Sequence, residues 1–339
     1  MAIRIQDVVV PSIFDPYIIE QTTFKNAFVN SGVVQSVPSL SSASEGGDFV
    51  NIPFWVANLS GDLEVITDST SLTPGQLTAS NQQGVVLHRG RAWASRDLAA
   101  LAAGSDPMMA IADKVAAYFA NQQQKEILAI LSGVFGTLAS GGGALATGGL
   151  SYIPGTITSL APGTIAKMRS LLGDQGDKLA AIAIHSASYY DLVERKLIDY
   201  VKTGDGLSVP ASTAVGGGGG TTAAYGGAGS ADVPFFCGLR VIVDDDVTKE
   251  SSNYAVYGFV QGAIGQGEQQ AFRTETDRDI LAKEDAMAID AHWIYHVLGT
   301  SFGGSANPTR AQLSTVGNWT QVYQTKNVGV VRATVTANF

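Results

Sequence analysis

The sequence predicts an α+β chain organised on one long helix, and three observations carry that prediction. Asp106 to Ser132 sustains a single amphipathic helical pattern. Phe49–Val56 and Val85–Trp93 read as strands on either side of a mostly polar stretch. The apolar run Leu179–Ile184 passes directly into a second helical pattern, Ala187 to Val201, which is the strand-then-helix order of an α/β lobe.

The long helix is the best specified element. Asp106 can accept from unpaired first-turn amides, and Pro107 suits a first helical position that needs no N–H. Met108, Ile111, Ala112, Val115 and Phe119 recur at three- and four-residue steps, and the same face resumes at Ile127, Ile130 and Leu131. Between them lies a polar waist, Asn121 to Glu126, and Gly133 reads as the stop. At 1.5 Å per residue this is a rod of roughly 37 Å, a spine on which a sheet can lie.

In chain order, residues 1–48 read as an arm lying on something else, with extended segments at Val8–Pro11 and Phe14–Tyr17, a short helical pattern from Pro16 to Asn30 and a Ser-rich loop from Ser39 to Gly47. The two strands that follow imply a long protruding hairpin that buries too little to stand alone. Asp97–Ala103 reads as a short helix before the spine, and the Gly/Ala-rich stretch Gly133–Pro154 as a flexible surface excursion. Thr164–Leu172 is helical, and Leu179–Ile184 has the composition of a centrally buried strand. Lys202–Val233 is low complexity, with five consecutive glycines at Gly216–Gly220, and reads as a loop. Strand patterns resume at Leu239–Val243, Tyr254–Val260 and Ile289–Val297, and the tail from Trp319 to Phe339 alternates again.

Composition narrows the function classes. Only 15% of the 339 residues are charged while 45% are hydrophobic, so extensive coverage by other protein is expected. The net charge is −9 with 21 Lys+Arg and no long basic run, which disfavours phosphate-driven nucleic-acid binding. An acidic wall can still enclose nucleic acid without adhering to it. The lone Cys237 sits in the apolar run Pro234–Leu239 and reads as a small core residue. Met1–Val10 lacks a signal-peptide apolar region, and no apolar run reaches the roughly 18 residues a spanning helix needs, so a chain made in the cytosol and kept off membranes is expected.

No catalytic, cofactor or metal site is predicted. Gly299-Thr300-Ser301-Phe302-Gly303 matches the serine-hydrolase string, but that elbow needs a helix after the serine, and loop residues Gly304–Pro308 follow. The last histidine, His296, also precedes Ser301 rather than following it. His292 and His296 are four apart on a strand pattern, some 13 Å along one face, with no third ligand evident. Asp244–Asp246 lacks the glycine and alternation of a calcium loop and reads as a turn. Gly262–Gly267 has the wrong glycine order for a dinucleotide fingerprint.

The order of arm, hairpin, spine, lobe and late strands resembles the major capsid proteins of tailed bacteriophages, which share the bacteriophage Hong Kong 97 fold. Gly47–Phe54 resembles the start of that family's extended E-loop, and Arg89–Leu98 with Asp106–Leu131 its return strand and spine helix. Ala181–Ser186 with Tyr189–Leu192 is similar to the apical strand and helix, and Phe236–Asp245 to the strand and turn after them. Thr274–Asp279 and the strand containing His292 resemble the late periphery segment. The resemblance implies an N-terminal arm (1–48), an E-loop hairpin (49–96), a periphery domain (97–160) with spine 106–132, an apical domain (161–272) with Gly-rich loop 202–233, and a return to the periphery with C-terminal strands (273–339). It also implies a non-enzymatic virion protein that assembles with itself as hexamers and pentamers into an icosahedral shell around double-stranded DNA. A separate scaffolding protein, a portal and decoration proteins are the implied partners, and no lysine–asparagine cross-link is assigned. An encapsulin-type nanocompartment and a hydrolase using Ser301 stand as alternatives.

Overall fold

The spine is a 29-residue helix, Pro107–Phe135, in a computed structural model that describes residues 26–41, 46–55, 63, 65, 66, 79–96, 107–202 and 232–337. Asp106, the helical reading of Asp97–Ala103, most of the arm and nearly all of the Gly-rich loop lie outside the described residues. The helix runs past Gly133, which is not the stop. A Cβ there would meet the Leu313 carbonyl oxygen at 2.1 Å and Trp319 Nε1 at 2.6 Å. Trp319 Nε1 in turn donates to Leu313 O at 2.8 Å. Gly133 is therefore a site of close approach, and the chain turns instead at Gly136, where φ is +73°.

Among the described residues, the strands form two main sheets and three small pairs. β1 (Val34–Ser36) pairs parallel with β14 (Ile264–Asp279), and β14 pairs antiparallel with β15 (Glu284–Val297). β15 also pairs with β4 (Leu87–Arg96), completing a four-stranded sheet against the spine. Aromatic edges fill that contact: the Phe119 ring lies 4.9 Å from Phe272 and 6.3 Å from Trp293. The hairpin is β2 (Phe49–Trp55) with β3 (Ala79–Val85), in register from Phe49↔Val85 to Trp55↔Ala79. The predicted return strand, Val85–Trp93, is thus split at buried Val86, and its later part belongs to the four-stranded sheet. A small cluster of Leu40, Val50, Val86 and Ile294 pins the hairpin base.

The second sheet has eight strands. β8 (Leu179–Ile184) lies inside it, parallel to β11 (Leu239–Val243) and antiparallel to β13 (Asn253–Val260). All of β8 except Ala180 is buried, as its unbroken apolar run predicts. β13 pairs with β18 (Val330–Thr336), which also receives β7 (Ser151–Tyr152). β10 (Asp232–Phe236) and β9 (Asp199–Lys202) extend the other edge, and β12 (Lys249–Glu250) pairs with β13.

Three readings are corrected here. The second lobe helix spans Ser186–Glu194, not Ala187–Val201, because Lys196 turns the chain at φ +55° and Asp199–Lys202 finds strand partners. Gly133–Pro154 is not a loose excursion: Leu138, Leu145 and Leu150 are fully buried, while β5 (Gly136–Thr137), β6 (Gly141–Gly142) and β7 hold its backbone. Cys237 is exposed, at the tip of the β10–β11 turn, with φ +51° followed by Gly238 at +77°. Phe236 and Leu239 on either side take the core positions.

Along the described part of the arm, Asn26 caps the helix Ala27–Asn30, and the Phe28 ring meets Phe259 edge-on at 6.0 Å. Leu40 seats on β14 where a Cβ at Gly265 or Gly267 would lie 2.7 Å from it. His296, buried on β15, bonds the Thr300 carbonyl through Nε2 at 2.9 Å.

Gly133→Ala should lower the unfolding free energy by at least about 2 kcal/mol in a urea titration, because the new methyl overlaps backbone that cannot move independently. Gly163→Ala, with nothing within 4 Å of its Cβ, should stay within about 1 kcal/mol of the parent. Burial pushes His296 down to about 4, with the Thr300 carbonyl partly opposing it. The unfolded chain takes up a proton near pH 6.5 and the folded one only near 4, so stability is full above 6.5 and falls as pH drops through that window. The loss is about 3 kcal/mol, and His296→Gln should flatten the fall in melting temperature between pH 7 and 4.5. Equal pH dependence in both proteins would count against this assignment.

Candidate functional site

The residues with catalytic or metal-binding spacing are engaged in structure. Ser301 lies on β16 (Thr300–Phe302), paired with β17 (Trp319–Gln321), and its hydroxyl accepts from the Gln83 amide at 3.2 Å. The next helix begins only at Arg310, so there is no strand-to-helix elbow. His296 bonds the Thr300 carbonyl and not the Ser301 hydroxyl, leaving no nucleophile–base pair. His292 stacks on His88, with centroids 4.1 Å apart and planes 8° apart, and Asp48 stands 3.8 Å from His88 Nε2. Burial and neighbouring His88 push the His292 pKa down. Asp244 closes a turn by accepting from the Asp246 amide at 2.8 Å, and Asp246 meets Lys125 at 3.5 Å. Gly262–Gly267 leads into β14, where its last glycines seat Leu40. Among the described residues, no group of three or more His, Cys, Asp or Glu is placed to hold a metal ion.

The polar waist of the spine is a clasp. Glu126 is 2% exposed, and its two oxygens accept from Arg89 Nε at 2.5 Å and Trp293 Nε1 at 2.7 Å. Arg89 also donates to Asn307 Oδ1 at 2.9 Å and Pro308 O at 2.7 Å. Gln122 accepts from Arg310 at 2.6 Å, and Gln123 from buried Asn26 at 3.4 Å. One turn and a half of helix thereby holds the strand leading from the hairpin, the arm and the loop before the last helix. Sequence reasoning located the patch without its partners, because Arg89, Trp293, Asn307 and Asn26 lie far from it in the chain.

Among the described residues, several large apolar side chains are left uncovered, most of them on extended elements. On the hairpin, Trp55 is 65% exposed, Leu63 fully exposed and Val65 82% exposed. At the β14–β15 turn, Leu281 is 97% exposed beside exposed Ile280. Tyr190 and Tyr200 are exposed on the eight-stranded lobe, with Tyr200 bonding the Tyr189 hydroxyl at 3.0 Å. Large side chains at the ends of projecting ribbons cannot be buried by the subunit that carries them, so they mark contact surfaces.

Comparison with known proteins agrees with this geometry. Residues 34–331 match the Gp13-like family, described as major capsid protein 13-like. The major capsid protein of Bacillus phage SPP1 is 33% identical over 343 residues, covering 97% of each chain. Among solved structures, the capsid asymmetric unit of cyanophage Pam1 aligns with TM-score 0.56 at 13% identity over 92% of each chain. The capsid of a native GTA particle aligns with TM-score 0.54 at 10% identity, over 92% of this chain and 91% of the other. A chain of Mycobacterium phage Che8 aligns with TM-score 0.51 at 14% identity over 89% of each. The chain belongs to the Gp13-like family of tailed-phage major capsid proteins and has the Hong Kong 97 fold.

Proposed function

We propose that this capsid protein closes with copies of itself, as hexamers and pentamers, into an icosahedral head that encloses double-stranded DNA without reading its sequence. The observation that carries the reading is the β2–β3 hairpin: a two-stranded ribbon with exposed Trp55, Leu63 and Val65 that its own subunit does not cover. In a closed shell each such ribbon is covered by a neighbour, and many modest contacts add to one stable particle. The segmentation into arm (1–48), E-loop (49–96), periphery (97–160 and 273–339) and apical domain (161–272) is supported by β8 to β13, which all join the eight-stranded sheet, although β14 straddles the 272/273 boundary within the four-stranded sheet and β7 and β18 of the periphery range join the eight-stranded one. A separate scaffolding protein and a portal are the partners, assembly takes place in the host cytoplasm, and the shell carries no enzymatic activity of its own.

The encapsulin-type alternative is not favoured, since the phage relative matches 97% of both chains. The hydrolase alternative has no support in the environment of Ser301, whose hydroxyl is held by a backbone amide on a strand.

Expressed alone and then with its neighbouring phage genes, the chain should give closed shells, or rings of six and five, by negative-stain microscopy and light scattering. A stable monomer under both conditions would contradict the proposal. Shortening the hairpin between Trp55 and Ala79, and not within Ala79–Gln83, which forms part of β3, should abolish particles. The subunit should keep its melting temperature, and normal particles from that variant would count against the ribbon as the assembling element.

A further inference from the structure

We infer that the outer edge of β4 pairs with the outer edge of β14 in a second copy of this chain, joining two four-stranded sheets into one. The inference rests on the self-assembly reading and names backbone through which copies meet. β4 and the far part of β14 flank that sheet, since β1 covers β14 only at Ile264, Gly265 and Gln266. His88 shows which way the β4 backbone points. Its N–H donates to Asn307 Oδ1 at 3.1 Å and its carbonyl accepts from Arg89 Nη1 at 3.1 Å, both away from β15. Pairing with β15 runs unshifted from Leu87 to Arg96, so Gly90, Ala92 and Ala94 turn their amides and carbonyls outward as well. On β14 the Arg278 amide donates to Asp277 Oδ1 at 2.8 Å, and the same alternation makes Thr274 and Thr276 the outward residues. Among the described residues, no strand pairs with 90–96 or 273–279 on these outer sides.

A row of outward backbone groups is a template for another strand, and β4 lacks the lysine, proline or bulge that commonly blunts an edge. Its outward residues Gly90, Ala92 and Ala94 are exposed and small, so no side chain stands in the way. Charge selects the partner. Residues 90–96 carry Arg91 and Arg96 and no acid, whereas 274–279 carry Glu275, Asp277 and Asp279 against the single Arg278. Pairing β4 with its own copy brings arginines together, and pairing β14 with its own copy brings acids together. β4 against β14 sets opposite net charges side by side. Both strands run antiparallel to β15 and therefore parallel to each other, so a second copy continues the sheet with both spines on the same side. Such a head-to-tail contact generates a ring when its rotation closes.

Proline substitution and disulfide trapping test the pairing. Ala92→Pro deletes an outward amide without touching the bonds to β15, at a position where an edge strand accepts proline. It should lower the yield of closed particles on the order of tenfold or more while the subunit keeps its melting temperature. Parent-level yield from that variant overturns the inference. In a Cys237→Ser background, Ala92→Cys with Glu275→Cys, or with Asp277→Cys, should oxidise under ferricyanide to a ladder of linked chains on a non-reducing gel. Within one chain Ala92 and Glu275 flank Ala288 of β15 from opposite sides, two strand spacings or roughly 10 Å apart and beyond disulfide reach. The ladder therefore reports a second copy. Dimers from Ala92→Cys alone would put β4 against β4 and overturn the assigned partner. Closed particles without linked chains overturn the edge contact, whereas linked chains without closed particles sink the shell reading alone.

Discussion

Burying the Glu126 carboxylate is the constraint on which the rest of the subunit depends. A carboxylate in an apolar contact costs several kcal/mol unless it is paired and hydrogen-bonded, and removing one partner of such a pair costs about 3–5 kcal/mol. Arg89 and Trp293 supply both bonds, and they come from adjacent strands, β4 and β15. The spine can therefore meet the four-stranded sheet in only one rotation and one axial position, since any slip leaves the charge unpaired. Apolar packing of Phe119 against Phe272 and Trp293 would tolerate a slip; the charge does not. Because β4 continues directly from the hairpin through Val86, the same clasp fixes the direction in which the hairpin leaves the body.

The C-terminal end of the spine is held by the opposite charge. Arg332, wholly buried on β18, donates to the carbonyls of Gly136 at 2.6 Å and Thr137 at 2.9 Å and to Ser151 Oγ at 3.1 Å. Its guanidinium lies 5.3 Å from the Phe135 ring centroid. A cation where the helix ends meets the negative pole of the aligned peptide dipoles. Burial pulls the Arg332 pKa down, with Tyr257 and Glu250 opposing the shift. The two lobes are thus tied to one rod through charges at different points along it, Glu126 to the four-stranded sheet and Arg332 to the eight-stranded one.

Much of this was legible in the sequence where local pattern and tertiary role agree. The spine's apolar stripe, the unbroken apolar β8 and the alternation of β15 are each dictated by the face they bury. The family resemblance rested on their order. Legibility failed where one residue type serves two purposes. Gly133 looked like a terminator, yet it makes room for Leu313 and Trp319 more than 170 positions later in the chain. The glycines after Phe135 looked like slack, yet several supply left-handed turns that let Leu138, Leu145 and Leu150 reach the core. Cys237 looked buried because its neighbours are, but a two-residue turn puts adjacent positions on opposite sides. The clasp was visible only as polar residues interrupting a stripe, because its partners are assembled by topology alone.

The place of β18 bears on the order of events during synthesis. It lies between β7 and β13, and it carries the arginine that closes the end of the spine. Both flanking strands are translated before it. Until Val330–Thr336 emerges from the ribosome, β13 has an open edge and the carbonyls at the spine's end are unmet, so the nascent chain cannot complete its larger sheet. The hairpin, completed by residue 85, is synthesised long before the body that positions it. Such a chain exposes its apolar ribbon early and completes the frame that positions it only with one of its last strands.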